Sequence, residues 1–218
     1  MRGWGGVAAP ARLRLSRRRR IAYSTDAGAL PVISGTTGPA SRGPGPNPLM
    51  DLTAFLAAHG VNATRHTHPP VMTVAESERL VPPLPGAKTK NLFLRDRKGA
   101  RHFLVTVPHA LAVDLNALGA ALGAGRLGFA SAERLARHLG ITPGSVSLLA
   151  LVNDAAHAVE FVIDRSLWEA AAVQAHPLTN DATMVIPHAD LERFLAATGH
   201  AARVIDVATA ASICRLPT

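Results

Sequence analysis

The stretch Gly86-Ala87-Lys88-Thr89-Lys90-Asn91-Leu92-Phe93-Leu94-Arg95-Asp96 carries the cations best placed for chemistry. Read as a strand, its alternation puts Lys88, Lys90, Leu92 and Leu94 on one face. Lys90 then shares that face with apolar neighbours and stands close to the core. Two readings of it stay open. A lysine stem can line apolar surface while its ammonium reaches back to water. Alternatively, the ammonium sits at a cleft floor and grips a phosphate or carbonyl oxygen. Between positions 88 and 101, Lys88, Lys90, Arg95, Arg97, Lys98 and Arg101 oppose Asp96 alone, a local charge of +5. That excess favours the cleft, although a solvated hairpin tip accounts for Arg97 and Lys98 equally well.

Two further constellations carry polar groups at tight turns. In His176-Pro177-Leu178-Thr179-Asn180-Asp181-Ala182-Thr183, an imidazole, an amide and a hydroxyl bracket a turn before a strand. They form either a pocket wall that hydrogen-bonds an ammonium or hydroxyl, or plain turn chemistry. In Gly140-Ile141-Thr142-Pro143-Gly144-Ser145-Val146-Ser147, Gly144 permits positive φ, and consecutive N–H groups there can cradle an anion. A type II turn is the commoner meaning of Pro-Gly. His66 and His68 alternate onto one strand face without a third ligand at useful spacing, so no metal site is expected. Ser145 and Ser147 lack the nucleophile-elbow pattern, and Cys214 has no nearby histidine. No covalent nucleophile stands out.

The elements that must position these groups alternate between helix and strand. Residues 51–59 read as a helix stopped by Gly60, and 63–68 as a strand ended by Pro69-Pro70. Thr73 and Glu76 form a capping box that opens a helix to about Leu80. A hairpin follows, with arms 88–95 and 101–107 around Asp96-Arg97-Lys98-Gly99. Helices are expected at 114–122 and 131–139, and apolar strands at 146–152 and 158–163. A short helix near 166–170, strands near 173–175 and 183–186, a helix at 190–198 and a strand at 203–207 complete the pattern. Hairpins mixed with scattered helices predict an α+β fold, a single domain with a mixed, mostly antiparallel β-sheet flanked by helices.

The chain has 218 residues, 48% of them hydrophobic, enough to bury a core. One cysteine excludes a disulfide scaffold and a thiolate zinc cluster. No apolar run approaches the roughly 20 residues of a membrane span. The net charge of +8 is unevenly placed. Residues 1–49 hold eight arginines and one acid, Asp26, which leaves fifteen basic and fourteen acidic groups for the remainder. The body is thus nearly neutral, and a polyanionic partner must be argued from local distribution. Residues 1–49 also contain eight glycines and six prolines, and read as a disordered basic tail. An organelle leader, a weak nucleic-acid contact and sequence upstream of a true start at Met50 are its three readings, the last preferred. The expected organisation is tail 1–49, domain 50–210 and C-terminal tail 211–218.

Taken together, Lys88-Thr89-Lys90-Asn91-Leu92-Phe93-Leu94, Pro143-Gly144-Ser145-Val146, His176-Pro177-Leu178-Thr179-Asn180 with Thr183, and Thr198-Gly199-His200 resemble the YbaK/prolyl-tRNA-synthetase-associated domain. That family comprises aminoacyl-tRNA deacylases. The resemblance spans about residues 50–207, and Lys90-Asn91-Leu92 with Thr198-Gly199-His200 resemble its free-standing prolyl-tRNA editing branch. It implies hydrolysis in trans of a wrong amino acid, alanine, from tRNA(Pro), with Cys- or Ser-tRNA deacylation or a non-catalytic tRNA-end module as alternatives. Carried over, Lys90 contacts the terminal adenosine phosphate or polarises the ester, and Asn91 supports the adenosine. The Gly144 turn offers donors to an oxyanion, and His176 faces the α-amino group. Thr89, Ser145, Asn180 and Thr183 complete the expected substrate-binding set. The resemblance implies no metal or cofactor, the tRNA(Pro) acceptor end and a prolyl-tRNA synthetase as partners, no membrane, and a cytoplasmic setting. Leu148 stands where the family commonly has proline, which predicts a less rigid loop and leaves pocket size open.

Overall fold

The structure, a computed structural model, describes residues 50–70 and 79–207. The capping box at 73–76, both tails beyond this range and Cys214 lie outside the described residues.

Side-chain caps set the helix starts. In α1 (Leu52–Ala58) the Asp51 carboxylate accepts from the N–H groups of Thr53 and Ala54 at 3.0 and 3.1 Å. Asp114 does the same for α2 (Leu115–Ala121), and Ser131 for α3 (Ala132–Leu139). Asp164 caps the single turn of α4 (Arg165–Trp168). The last helix, α5 (His188–Thr198), begins two residues before the expected 190, because it starts directly from Pro187 at the end of a strand.

The strands among the described residues are β1 (Thr64–Thr67), β2 (Ala87–Arg95), β3 (His102–Pro108), β4 (Gly128–Phe129), β5 (Val159–Asp164), β6 (Ala172–Ala175), β7 (Ala182–Pro187) and β8 (Arg203–Ile205). They form one sheet in the order β1-β7-β6-β2-β3-β5-β8, with β4 added against β2. Contacts β1–β7, β6–β7, β2–β3 and β2–β4 are antiparallel, whereas β2–β6, β3–β5 and β5–β8 are parallel. The sheet is mixed, with helices on both faces.

One expected strand is absent. The run 146–152 contains instead a 3-10 helix, Leu148–Asn153, whose Ser147 cap accepts from Leu149 N–H at 3.2 Å. A continuous apolar run buries itself equally well as a strand or as a helical turn, and periodicity does not choose between them. Here Leu148, Leu149, Ala150 and Leu151 are all buried, so every side of the turn meets the core.

Alternation along β2 sorts the two cores. Phe93 joins Leu104, Phe161, Val173, Ala175 and Met184 on the first face, under α1, α3, α5 and the 3-10 helix. Leu94 joins Phe103, Val105, Val107 and Val162 on the second, under α2. Residues 102–107 are buried without interruption, as expected of a strand covered on both sides.

Candidate active site

β2 and β6 pair in parallel at Ala87–Val173 and Lys88–Gln174. One step further the Thr89 hydroxyl takes the Gln174 carbonyl at 2.6 Å, a side-chain bond where the ladder ends. β6 stops at Ala175 while β2 runs on to Arg95. A fork therefore opens past the carboxyl end of β6, the kind of place where ligands settle in sheets with parallel neighbours. On the near side of the fork, Gly86 has φ +87°, and a Cβ there would lie 2.9 Å from the Ala172 carbonyl oxygen. Only glycine lets the two chains come so close. The buried Gln174 amide holds the same loop through the carbonyls of Leu84, Pro85 and Gly86 at 2.9, 3.2 and 3.0 Å.

The segment that follows α3 fills the fork. Ser145 N–H donates to the Thr142 carbonyl at 3.2 Å, and Gly144 has φ +94°. This is the Pro-Gly turn, with glycine where positive φ is required. Next, the Val146 carbonyl accepts from Asn91 Nδ2 at 3.3 Å, and Ser147 Oγ donates to the His176 carbonyl at 2.5 Å. Two consecutive residues thus fasten the turn to β2 on one flank and to the exit of β6 on the other. Because a carbonyl can only accept, the Asn91 NH₂ must face Val146. Its Oδ1 then takes the hydroxyl of the buried Thr106 at 2.7 Å. Asn91 acts as a bracket between strand and turn.

The same logic fixes the imidazoles. His176 Nδ1 lies 3.2 Å from the Ala182 carbonyl, so Nδ1 carries the proton and Nε2 keeps its lone pair. Burial, aided by the neighbouring His68, holds His176 below the usual histidine range despite the opposing effect of the Ala182 bond. The ring is neutral near pH 7. His68 is buried, bonds the Pro69 carbonyl at 2.8 Å through Nδ1, and meets Thr183 Oγ1 at 3.0 Å through Nε2. In the neutral ring the Thr183 hydroxyl donates to it. Thr183 therefore anchors the wall behind His176, and His68 has a place at this site rather than on a bare strand face. Leu178, at φ +67°, strains the turn that leads out of His176. Asn180 is half-buried in that turn, where Thr179 Oγ1 donates to Asp181 at 2.5 Å.

Lys90 stands apart from this chain of bonds. It lies on the second face of β2, opposite in direction to Asn91, and its ammonium donates to the Leu111 carbonyl in the turn after β3. Burial lowers its pKa from the usual lysine value. The structure thus links Asn91, the Gly144 turn and His176 through hydrogen bonds, and fixes Lys90 on the other side of the same strand. Ser145 is half-buried and contributes its N–H to the turn.

Leu148 is fully buried. Ser147, at φ −139° and ψ 147°, already has the extended conformation that a following proline would demand. Burial and the Ser147 cap hold this loop where a proline ring would otherwise do so. The Thr198-Gly199-His200 ending is structural: buried His200 reaches the buried Asp154 carboxylate at 3.2 Å. Asp154 also accepts from the N–H groups of Ala158 and Val159 at 3.0 and 2.8 Å, which closes the loop after the 3-10 helix.

A family model described as aminoacyl-tRNA editing domain matches residues 68–194. The prolyl-tRNA editing protein ProX of Acetoanaerobium sticklandii is 37% identical over 147 residues, which covers 67% of this chain and 90% of that protein. Prolyl-tRNA synthetase associated domain-containing protein 1 of Danio rerio is 41% identical over 152 residues, covering 69% and 82%. Among solved structures, one described as a candidate trans-editing enzyme for prolyl tRNA synthetase shares the fold. Its TM-score is 0.53 at 22% identity, over 72% of this chain and 93% of that one.

Proposed function

This chain belongs to the aminoacyl-tRNA editing domain family, and we propose that the fork between β2 and β6 hydrolyses the ester of mischarged tRNA(Pro), with alanine as the amino acid removed. The observation that carries this reading is the Gly144 turn held between Asn91 and the His176 backbone. Ester hydrolysis creates a negative oxygen, and fixed backbone N–H groups are the cheapest stabiliser of such charge. With Ser145 N–H used by the turn, Gly144 and Val146 N–H are the donors assigned to that oxygen. Water adds to the ester carbonyl with help from a ribose hydroxyl of the substrate. Collapse of the tetrahedral adduct breaks the carbon–oxygen bond, returning a free ribose hydroxyl and the amino acid.

His176 receives the substrate's α-ammonium on its Nε2 lone pair, a role that requires the neutral ring. Lys90, on the opposite face of β2 from the Gly144 turn, holds the terminal phosphate rather than the ester oxygen, after exchanging its Leu111 carbonyl for substrate. Thr89, Asn180 and Thr183 shape the wall. Alanine fits and proline does not, a size distinction that methylene-scale discrimination makes leaky. In this reading the catalytic unit is residues 50–210, the setting is cytoplasmic, and a prolyl-tRNA synthetase supplies additional affinity. No helix among the described residues is long and apolar enough to cross a membrane.

Incubation with Ala-, Cys-, Ser- and Pro-tRNA(Pro) tests the proposal. Release of alanine well ahead of the other three is expected, with a loss of about tenfold in Lys90→Ala as one phosphate contact is removed. Preferential release of cysteine or serine would assign a different substrate. No release of any amino acid would overturn the enzymatic reading.

A further inference from the structure

The cations at the tip of the basic hairpin contribute nothing to the fork, yet the structure gives them a cavity. About 440 Å³ opens at the β2–β3 turn, lined by Arg95, Arg97, Lys98 and Arg134 together with Phe129 and Ser131. We propose that this cavity binds the phosphate backbone of RNA, holding the substrate a few nucleotides from its reacting 3′ end. The assignment of that RNA as substrate rests on the hydrolytic reading of the fork.

Charge comes first. Arg101, counted with the hairpin in the sequence, is neutralised by Glu160 at 2.7 Å and lies outside the cavity. Asp96 faces its own backbone, accepting from Ala100 and Arg101 N–H at 2.8 and 3.3 Å. Among the described residues, none of the four lining cations forms an ion pair. Two of them are nevertheless held in place by neutral partners. Arg95 donates to the carbonyls of Asp96 and Arg97 at 2.9 and 3.2 Å. Arg134 donates to the Gly99 carbonyl at 3.1 Å and to His102 at 2.9 Å. A Cβ on Gly99 would come within 2.8 Å of that guanidinium. Guanidiniums oriented in advance and left without a carboxylate suit a phosphodiester, whose two free oxygens a planar fork can grip together.

The aromatic residue narrows the class. Phe129 is 64% exposed, one of only two large hydrophobics so exposed among the described residues. An exposed ring beside unpaired cations is the arrangement that stacks a base while its backbone is neutralised. A free phosphate or an acidic peptide would make no use of it.

Position connects the cavity to the fork. Along the same edge of β2, Asn91 meets Val146, Phe93 accepts from Ala130 N–H at 3.0 Å, and Leu94 and Arg95 pair with Phe129 and Gly128. The edge thus runs without a break from the Gly144 turn to the cavity. Four residue steps, from Asn91 to Arg95, separate the ends, about 13 Å at the usual rise per residue.

The test measures binding of full-length uncharged tRNA at several salt concentrations for wild type, Arg97→Glu/Lys98→Glu and Phe129→Ala, all of them cavity-lining rather than core positions. Hydrolysis of a short 3′-aminoacylated CCA fragment, too short to reach the cavity, is measured in parallel. Affinity for tRNA should fall at least tenfold in the charge reversal and about fivefold or more in Phe129→Ala. The slope of log affinity against log salt should drop by about one per cation removed, with fragment hydrolysis unchanged. Unaltered tRNA affinity in the reversal overturns the proposal even if the enzyme deacylates tRNA. A matching fall on the short fragment also overturns it, since the substitutions then act through the fork. If wild type hydrolyses nothing but the reversal still abolishes tRNA binding, the cavity stands and the hydrolytic reading fails.

Discussion

At the scale of single residues, the account depends on which atoms are left able to act. His176 has one ring nitrogen committed to the Ala182 carbonyl and one lone pair remaining. Its pKa lies below the ordinary value of about 6.5 because protonation would put charge into a buried site. Deacylation should therefore hold its rate down through pH 6.5 and fall only at more acid pH, as the ring gains its second proton and repels the substrate ammonium. A kcat/KM profile that declines with a midpoint above 6.5 would remove the neutral imidazole from the mechanism. Asp154 gives a second pH signature, this time in stability. Burial pushes its carboxyl up, but the bonds from His200 and from Ala158 and Val159 N–H outweigh that, and the net shift is downward. A depressed carboxylate stabilises the fold above its unfolded pKa of about 3.9 and loses that contribution as pH falls through the folded value. His200→Ala should lower Tm at neutral pH, with the gap from wild type narrowing below about pH 4. A gap that widens on acidification would contradict the assignment.

At the scale of elements, two consecutive hydrogen bonds hold the Gly144 turn in place, and each is separable. Ser147→Ala removes both the cap of the 3-10 helix and the bond to the His176 carbonyl, so it should cost about 1–2 kcal/mol of stability. It should also reduce deacylation by a larger factor than a comparably destabilising change elsewhere, such as Ile205→Val on the second face. Unchanged activity at that stability loss would show that the turn needs no tie to β6. β2 was readable from alternation alone, because Leu92 and Leu94 on one side and Phe93 on the other each meet a core. The segment 146–152 was not, since unbroken apolarity serves a strand and a 3-10 turn alike. Nor does alternation say which strand pairs with which: the parallel neighbours β2 and β6 are some eighty residues apart. His68 is weighed in the sequence only as a metal ligand for the same reason, since its partner Thr183 is 115 residues away. Lys90, Gly144 and His176 were visible as residue types at turns and strand ends. That the first would be fixed to Leu111, across the strand from the other two, was not.

At the scale of the whole molecule, the charge division matters most. The net +8 of the chain resides almost entirely in residues 1–49, whereas the basic cavity sits on a body close to neutrality. RNA affinity should accordingly be modest and weakened by salt. Deletion of residues 1–49 should leave deacylation of tRNA(Pro) within about twofold at moderate ionic strength, because the proposed mechanism assigns them no role; a loss of tenfold or more would show that the tail belongs to the substrate site. The central claim is that a turn clamped between β2 and β6 stabilises the oxygen formed on ester cleavage. Its most direct measurement is the single-turnover rate on Ala-tRNA(Pro) for wild type and Asn91→Ala, the substitution that frees the turn from β2. A fall of about 10²-fold or more in the rate constant, with binding of uncharged tRNA retained, is the result predicted. Equal rates in the two proteins would contradict it.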